Sequence, residues 1–219
     1  MRINKFLSVA TDLSRRSADQ AIEAGRVVVN SQPARTGQMV GERDRVTLDG
    51  HAVHMPATTQ TILLHKPVGF VVSRSGQGSS TIYDLLPAEL RALKPIGRLD
   101  KDSSGLLLLT NDGQLAYELT HPKFQKTKMY EATLGAPLAP LHHQMIADHG
   151  VQLEDGPSRL QLEKLDDTAT RWRVTMHEGR NRQIRRTFAA LGYTVTALHR
   201  VQFGTYTLGA LASGVWRNA

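Results

Sequence analysis

The segment Gly97-Arg98-Leu99-Asp100-Lys101-Asp102-Ser103-Ser104-Gly105, followed at once by leucines at 106–109, constrains this chain more than any other stretch. An unbroken apolar run of that length reads as a buried strand. The loop before it therefore brings two carboxylates against the core, where desolvation and neighbouring cations govern reactivity. Three readings of Asp100 follow. A calcium loop would use Asp100, Asp102, Ser104 and Gly105 as its first, third, fifth and sixth positions. It then demands a bidentate Glu at the twelfth, where Asn111 stands, and leucines fill its polar half. That reading is excluded. The other two are a turn whose aspartates bond to backbone amides and a catalytic carboxylate; only the rest of the chain separates them.

At 219 residues the chain suggests two modest domains. Its hydrophobic content of 40% supplies real cores. No apolar run approaches the roughly 20 residues of a membrane span, so a soluble protein is expected. Residues 1–10 alternate charged and apolar groups too quickly for a signal peptide. The absence of cysteine excludes disulfides, iron–sulfur clusters and cysteine-ligated zinc, and fits a reducing cytoplasm. A net charge of +7 favours an anionic partner, nucleic acid first.

Residues 1–50 read as a small unit of helices and short strands. Ile3, Phe6, Leu7 and Ala10 recur at helical spacing. Ser14 is placed to cap a second helix that buries Ala18, Ala21 and Ile22 and stops at Gly25. Strands follow at 26–30 and 45–49, with a turn at Asn30-Ser31. The cations Arg2, Lys5, Arg15, Arg16 and Arg26 gather at the ends of these elements. They form either a solvated face or a phosphate-binding surface near a helix start. Residues 51–61, uncharged and containing Pro56, read as a linker; His51 and His54 lack the further ligands of a metal site. From residue 62 to 219 strands and helices alternate. Strands are expected at 61–65 with continuation through 70–73, and at 106–110, 130–134 and 172–176. A short helix covers 82–86, and another, capped by Asn111 or Asp112, runs to Leu119.

Glu178-Gly179-Arg180-Asn181-Arg182-Gln183-Ile184-Arg185-Arg186 opens a helix expected to run to Leu191. At about 100° per residue, Ile184, Phe188 and Leu191 share one narrow stripe, and Arg182 and Arg186 fall near the opposite face. Arg185 lies at the border of the buried face and needs an acidic partner, for which Asp100 is the natural candidate. Tyr130, beginning a strand after Lys123, Lys126 and Lys128, reads as either a core residue or a platform for a nucleobase.

Two resemblances gather these pieces. Arg2-Ile3-Asn4-Lys5-Phe6-Leu7, Ser14-Arg15-Arg16-Ser17-Ala18, Gly25-Arg26-Val27-Val28-Val29-Asn30 and Asp44-Arg45-Val46-Thr47-Leu48 resemble the αL-type RNA-binding domain of a small-subunit ribosomal protein. Lys66-Pro67-Val68-Gly69, Gly97-Arg98-Leu99-Asp100, Thr110-Asn111-Asp112-Gly113, Lys128-x-Tyr130, Gly179-Arg180-Asn181-Arg182-Gln183-Ile184-Arg185-Arg186 and Leu198-His199-Arg200 resemble the pseudouridine synthases that join such a domain to a catalytic one and modify ribosomal RNA. The resemblance implies an α+β protein: a small helical/β RNA-binding domain, then a catalytic domain with a mixed, mostly antiparallel sheet flanked by helices. It implies isomerisation of a uridine, in large-subunit RNA by preference, without metal or organic cofactor. Asp100 corresponds to the family's essential aspartate, Tyr130 to the tyrosine that stacks on the target base, and Arg185 to the arginine paired with that aspartate. Arg98 is placed to help displace the base. Lys128, Arg182 and Arg186 join the N-terminal cations as RNA contacts. The expected protein is cytoplasmic and monomeric, off the membrane, with ribosomal RNA or a pre-ribosomal particle as partner. An RNA-binding assembly protein without chemistry is the alternative. A glycosidase is disfavoured, because carboxylates two residues apart in one loop cannot flank a bond from opposite sides.

Overall fold

In the computed structural model, which describes residues 1–56 and 58–219, two short helices open the chain: α1 (Ile3–Ala10) and α2 (Arg15–Glu23). Ser14 caps α2 by accepting a hydrogen bond from the Ser17 N–H at 3.0 Å. Ile3, Phe6 and Leu7 pack on Ala18, Ala21 and Ile22, with Val27, Val29 and Val46 beneath. The strands are β1 (Val27–Val29), β2 (Gln32–Pro33), β3 (Val46–Leu48) and β4 (His51–Val53), in the order β2-β1-β3-β4, each neighbour antiparallel. β4 lies where a linker was expected. Asp49 and Gly50 both have positive φ, 52° and 80°, as a tight hairpin turn requires, and they fold residues 51–53 back onto β3. The linker reading survives only for the irregular stretch after β4, in which Ala57 lies outside the described residues.

The second sheet is built from β5 (Thr61–Lys66), β6 (Lys94–Ile96), β7 (Ser104–Thr110), β8 (Lys128–Leu134), β11 (Gln161–Lys164), β12 (Arg171–Met176), β13 (Val195–Phe203), β14 (Tyr206–Thr207) and β15 (Trp216–Asn218), with the hairpin of β9 (Val151–Leu153) and β10 (Gly156–Ser158) apart from it. Its order is β11-β12-β8-β13-β7-β5-β15, with β6 on β7 and β14 on β13. β13 and β7 run parallel and the other pairs antiparallel, which is the mixed, mostly antiparallel sheet expected. Helices α3 (Gly113–Thr120), α4 (Pro140–Gln144) and α5 (Gln183–Ala189) flank it. The four leucines of β7 explain its central place. Leu107 and Leu109 enter the larger core with Ile62, Leu64 and Phe188, while Leu106 and Leu108 enter another with Leu63, Ile96 and Phe203. All four are fully buried, so only a strand covered on both faces accommodates them. Residues 70–73 do not extend β5; Val71 makes an isolated bridge to Thr81. Between the two units, the Lys94 ammonium at the start of β6 donates to the carbonyls of Leu13, at 2.8 Å, and Ser8.

Candidate active site

The loop carrying Asp100 is held from below by Lys66, the last residue of β5. Its side chain is completely buried, and Nζ donates to the carbonyl oxygens of Pro67 and Asp100, both at 3.0 Å, and of Ser103 at 2.7 Å. Burial lowers the Lys66 pKa to about 8, against the pull of the Asp100 and Asp102 carboxylates. A Ser103 N–H to Asp100 O bond of 3.1 Å closes the turn. At its end Gly105 has φ +108°, and a Cβ there would fall on the backbone of Arg200 in β13; the position needs glycine for both reasons.

Arg182 meets this loop from the other side. Nη1 lies 3.4 Å from Asp100 Oδ2, and the guanidinium grips Asp102 bidentately at 3.1 and 3.0 Å. The Arg182 hydrogen bond holds the Asp102 carboxyl below the usual range against desolvation by burial, with a lesser contribution from the Arg185 charge. Arg185 is not the partner of Asp100. Nη1 donates to Val195 O at 2.6 Å and Nη2 to Asp102 O at 2.9 Å, with Nε 3.4 Å from Asp102 Oδ2. Arg182 rather than Arg185 thus stands beside the Asp100 carboxylate, and the cause is local. The helix begins at Gln183 rather than at Glu178, and Arg182 precedes it in the left-handed conformation, φ 46°. A helical phase assigned to Arg182 therefore does not apply. Within the helix, which ends at Ala189 short of the expected Leu191, Ile184 and Phe188 are buried as expected, but so are Gln183 and Thr187, and Arg185 and Arg186 are both half-buried.

Asp100 and Arg182 open onto a cavity of about 950 Å³, which Arg98, Leu99, Lys128, Tyr130 and Ile184 also line. Tyr130 is 8% exposed, so most of its ring is core and a small part is presented to the cavity. Arg98 stands exposed at the rim. Lys128 lies over the Phe203 ring, 5.2 Å from its centroid. Arg186 is turned away to a bidentate pair with Asp155, at 3.0 and 2.7 Å. In the N-terminal unit Arg2, Lys5, Arg15 and Arg16 are exposed, whereas Arg26 is engaged by Asp49 at 2.7 and 2.5 Å. Sequence reasoning passed over Lys66 as a loop holder. Its signal was a lysine closing an apolar strand beside proline. Among the described residues no cluster of three or more His, Asp or Glu could hold a metal, and no helix is long and apolar enough to cross a membrane.

Residues 60–190 match the family model described as RNA pseudouridylate synthase, and residues 1–46 match that of the S4 domain. The chain is 37% identical to a ribosomal small subunit pseudouridine synthase A of Pasteurella multocida, covering 100% of this chain and 95% of that one. It is 36% identical to a ribosomal large subunit pseudouridine synthase B of Bacillus subtilis, covering 97% and 89%. A crystal structure of a pseudouridylate synthase superposes with a TM-score of 0.72 at 32% identity, covering 100% of this chain and 96% of the other.

Proposed function

The chain belongs to the RNA pseudouridylate synthase family, with an S4 domain at its N-terminus, and on that premise we propose that it isomerises one uridine of ribosomal RNA, with Asp100 as nucleophile. The observation that carries this reading is the Asp100 carboxylate, 26% exposed, lining the same cavity as Tyr130. A carboxylate so placed can attack either the ribose or the ring of a uridine whose base enters the cavity. Such a base must first leave its stack, at a cost of about a few kcal/mol. Arg98 at the rim is suited to fill the gap it leaves, and Tyr130 to stack on it once inside. Arg182 orients the carboxylate directly, and Arg185 does so indirectly by tying the Asp102 carbonyl to β13.

The division of labour we infer assigns residues 1–50, extended by β4, to RNA anchoring and residues 62–219 to catalysis. Arg2, Lys5, Arg15 and Arg16 are free to meet phosphates, with Lys128 and Arg182 at the cavity. Arg26 and Arg186 take part by exchanging Asp49 and Asp155 for phosphate. The protein works in the cytoplasm as a monomer, and large-subunit RNA is the substrate we favour, consistent with the name of the Bacillus relative. Mapping pseudouridines in both ribosomal RNAs from cells with and without the gene tests this. One large-subunit site should vanish, returning with the parent gene and not with Asp100→Asn. A site lost from small-subunit RNA instead moves the target, and unchanged ribosomal RNA refutes the reading.

A further inference from the structure

Arg200, in β13, is a charged group of the cavity to which nothing above gives work. It lines the cavity although only 2% exposed. Its Nε donates to Leu106 O at 2.8 Å, and the guanidinium lies 4.9 Å from the Phe203 ring centroid. Nη2 is buried without a hydrogen-bond partner among the described residues. The carboxylates around the cavity are engaged elsewhere. Asp100 faces Arg182, Asp102 faces Arg182 and Arg185, Asp155 faces Arg180 and Arg186, and Glu178 faces Arg180 and Gln183. Lys128 adds a second cation to this wall; burial first, and then the charge of Arg200, lower its pKa.

A buried guanidinium short of partners is costly, so something must compensate it. The fold itself asks little of Arg200. β13 is paired with β7 at His199–Ser104 and Arg200–Gly105, and the Arg200 Nε donates to the neighbouring Leu106 carbonyl. Of its donors only Nε is engaged among the described residues, which leaves the guanidinium with capacity for a ligand. Arg200 is the cross-strand partner of Tyr130, and directly opposed residues send their side chains to one face of a sheet. Phosphates, which keep their hydration, suit the exposed Arg98 and Arg182 at the rim. A nearly buried wall position suits the part of the substrate that enters, which is the base.

The geometry points to Arg200 as a further catalytic residue, whose guanidinium donates to a carbonyl oxygen of the flipped uracil; this rests on the reading of Asp100 and Tyr130 above. If Asp100 attacks the ribose, the C1′–N1 electron pair departs with the base and spreads over its carbonyl oxygens. If it attacks the ring at C6, the C5–C6 π pair moves onto the conjugated carbonyl oxygen, and the C1′–N1 bond then breaks with its pair left on N1. Either way negative charge grows where Arg200 can meet it. The base then bonds to C1′ through C5, the carboxylate is released, the C5 proton goes to solvent and N1 takes one up. Substrate and product are isomers, and Arg200 stays protonated throughout.

Ribosomal RNA transcripts of both subunits, carrying uridine tritiated at C5, report the reaction as tritium release. With enzyme in excess, Arg200→Gln should slow release about 100-fold, the size of losing one preorganised donor. Its RNA affinity should stay within about threefold of the parent with the same salt slope. Arg200→Lys should recover part of the rate. Should Arg200→Gln lose cooperative thermal unfolding, Arg200→Lys alone carries the test and should be slowed about tenfold with affinity intact. A loss of affinity with about one unit of salt slope, at an intact saturated rate, assigns Arg200 to a phosphate and overturns the proposal. A rate within about threefold of the parent in a folded variant assigns it to structure alone and overturns it equally. Asp100→Asn is measured beside them; tritium release that survives it refutes the nucleophile assignment and leaves the Arg200 comparison standing.

Discussion

Replacing Lys66 by methionine keeps the volume of a fully buried side chain and removes three hydrogen bonds to the carbonyls of Pro67, Asp100 and Ser103. Hydrogen bonds to a charged donor contribute about 1.5–3 kcal/mol each, so the gross loss is roughly 5–9 kcal/mol. Two effects reduce it. Burial lowers the Lys66 pKa from 10.5 to about 8, so removing the charge relieves about 3 kcal/mol of unfavourable burial at neutral pH. Asp100 O also keeps its bond from the Ser103 N–H. The net expectation is a loss of about 2–5 kcal/mol in folding stability. The catalytic consequence is larger than the thermodynamic one. The loop holding Asp100 loses its anchor, and a displacement of about 1 Å costs roughly 100-fold in rate. Urea unfolding and single-turnover tritium release measure the two effects. A Lys66→Met protein with an unchanged unfolding midpoint and a rate close to that of the parent would refute the view that this lysine positions the nucleophile. The pH dependence has a definite sign. Because the folded-state pKa is depressed, the unfolded chain binds more protons between about pH 8 and 10.5, and the Lys66 contribution to stability rises with pH across that window. Lys66→Met should remove that rise.

The arginines give a second test: Arg182→Ala should lower the saturated rate about tenfold or more, whereas Arg186→Ala, which releases Asp155, should leave that rate nearly unchanged. Equal effects would mean that Arg182 does not orient Asp100. Gly105→Ala places a Cβ on the Arg200 backbone at φ +108° and should destabilise the protein by about 3 kcal/mol or more; thermal unfolding within 2 °C of the parent, or about that, would contradict the close approach of β7 and β13. His199, bonded to Ser104 at 2.8 Å and 5.1 Å from the His65 ring, has its pKa pushed below 6.5 by burial and then by His65. Its contribution to stability is therefore full above about pH 6.5 and declines as pH falls to the folded-state pKa. His199→Gln should flatten the melting temperature against pH over that interval, and an unaltered profile would exclude the histidine as its source.

Much of this protein is decided by contacts close in sequence, and those were legible. Ser14 caps α2 through a residue three positions on, the 106–109 leucines demand a strand covered twice, and Ile184 and Phe188 mark the buried side of α5. Each follows from periodicity or a local hydrogen bond, which the order of residues alone sets. The Asp49-Gly50 hairpin was equally local, and its turn signal was present but read as the start of a linker. The motifs likewise sufficed to recognise the family. The partners within the site were not legible, because they join residues far apart in the chain. Arg182 reaches Asp102 across 80 positions, Lys66 reaches Ser103 across 37, and Arg200 reaches Leu106 across 94. A single residue in left-handed conformation before α5 decides which arginine faces Asp100. Side chains select such partners only after the sheet has fixed where their backbones stand, so only the tertiary structure could decide which cation faces Asp100 and which buried guanidinium keeps an unpaired nitrogen.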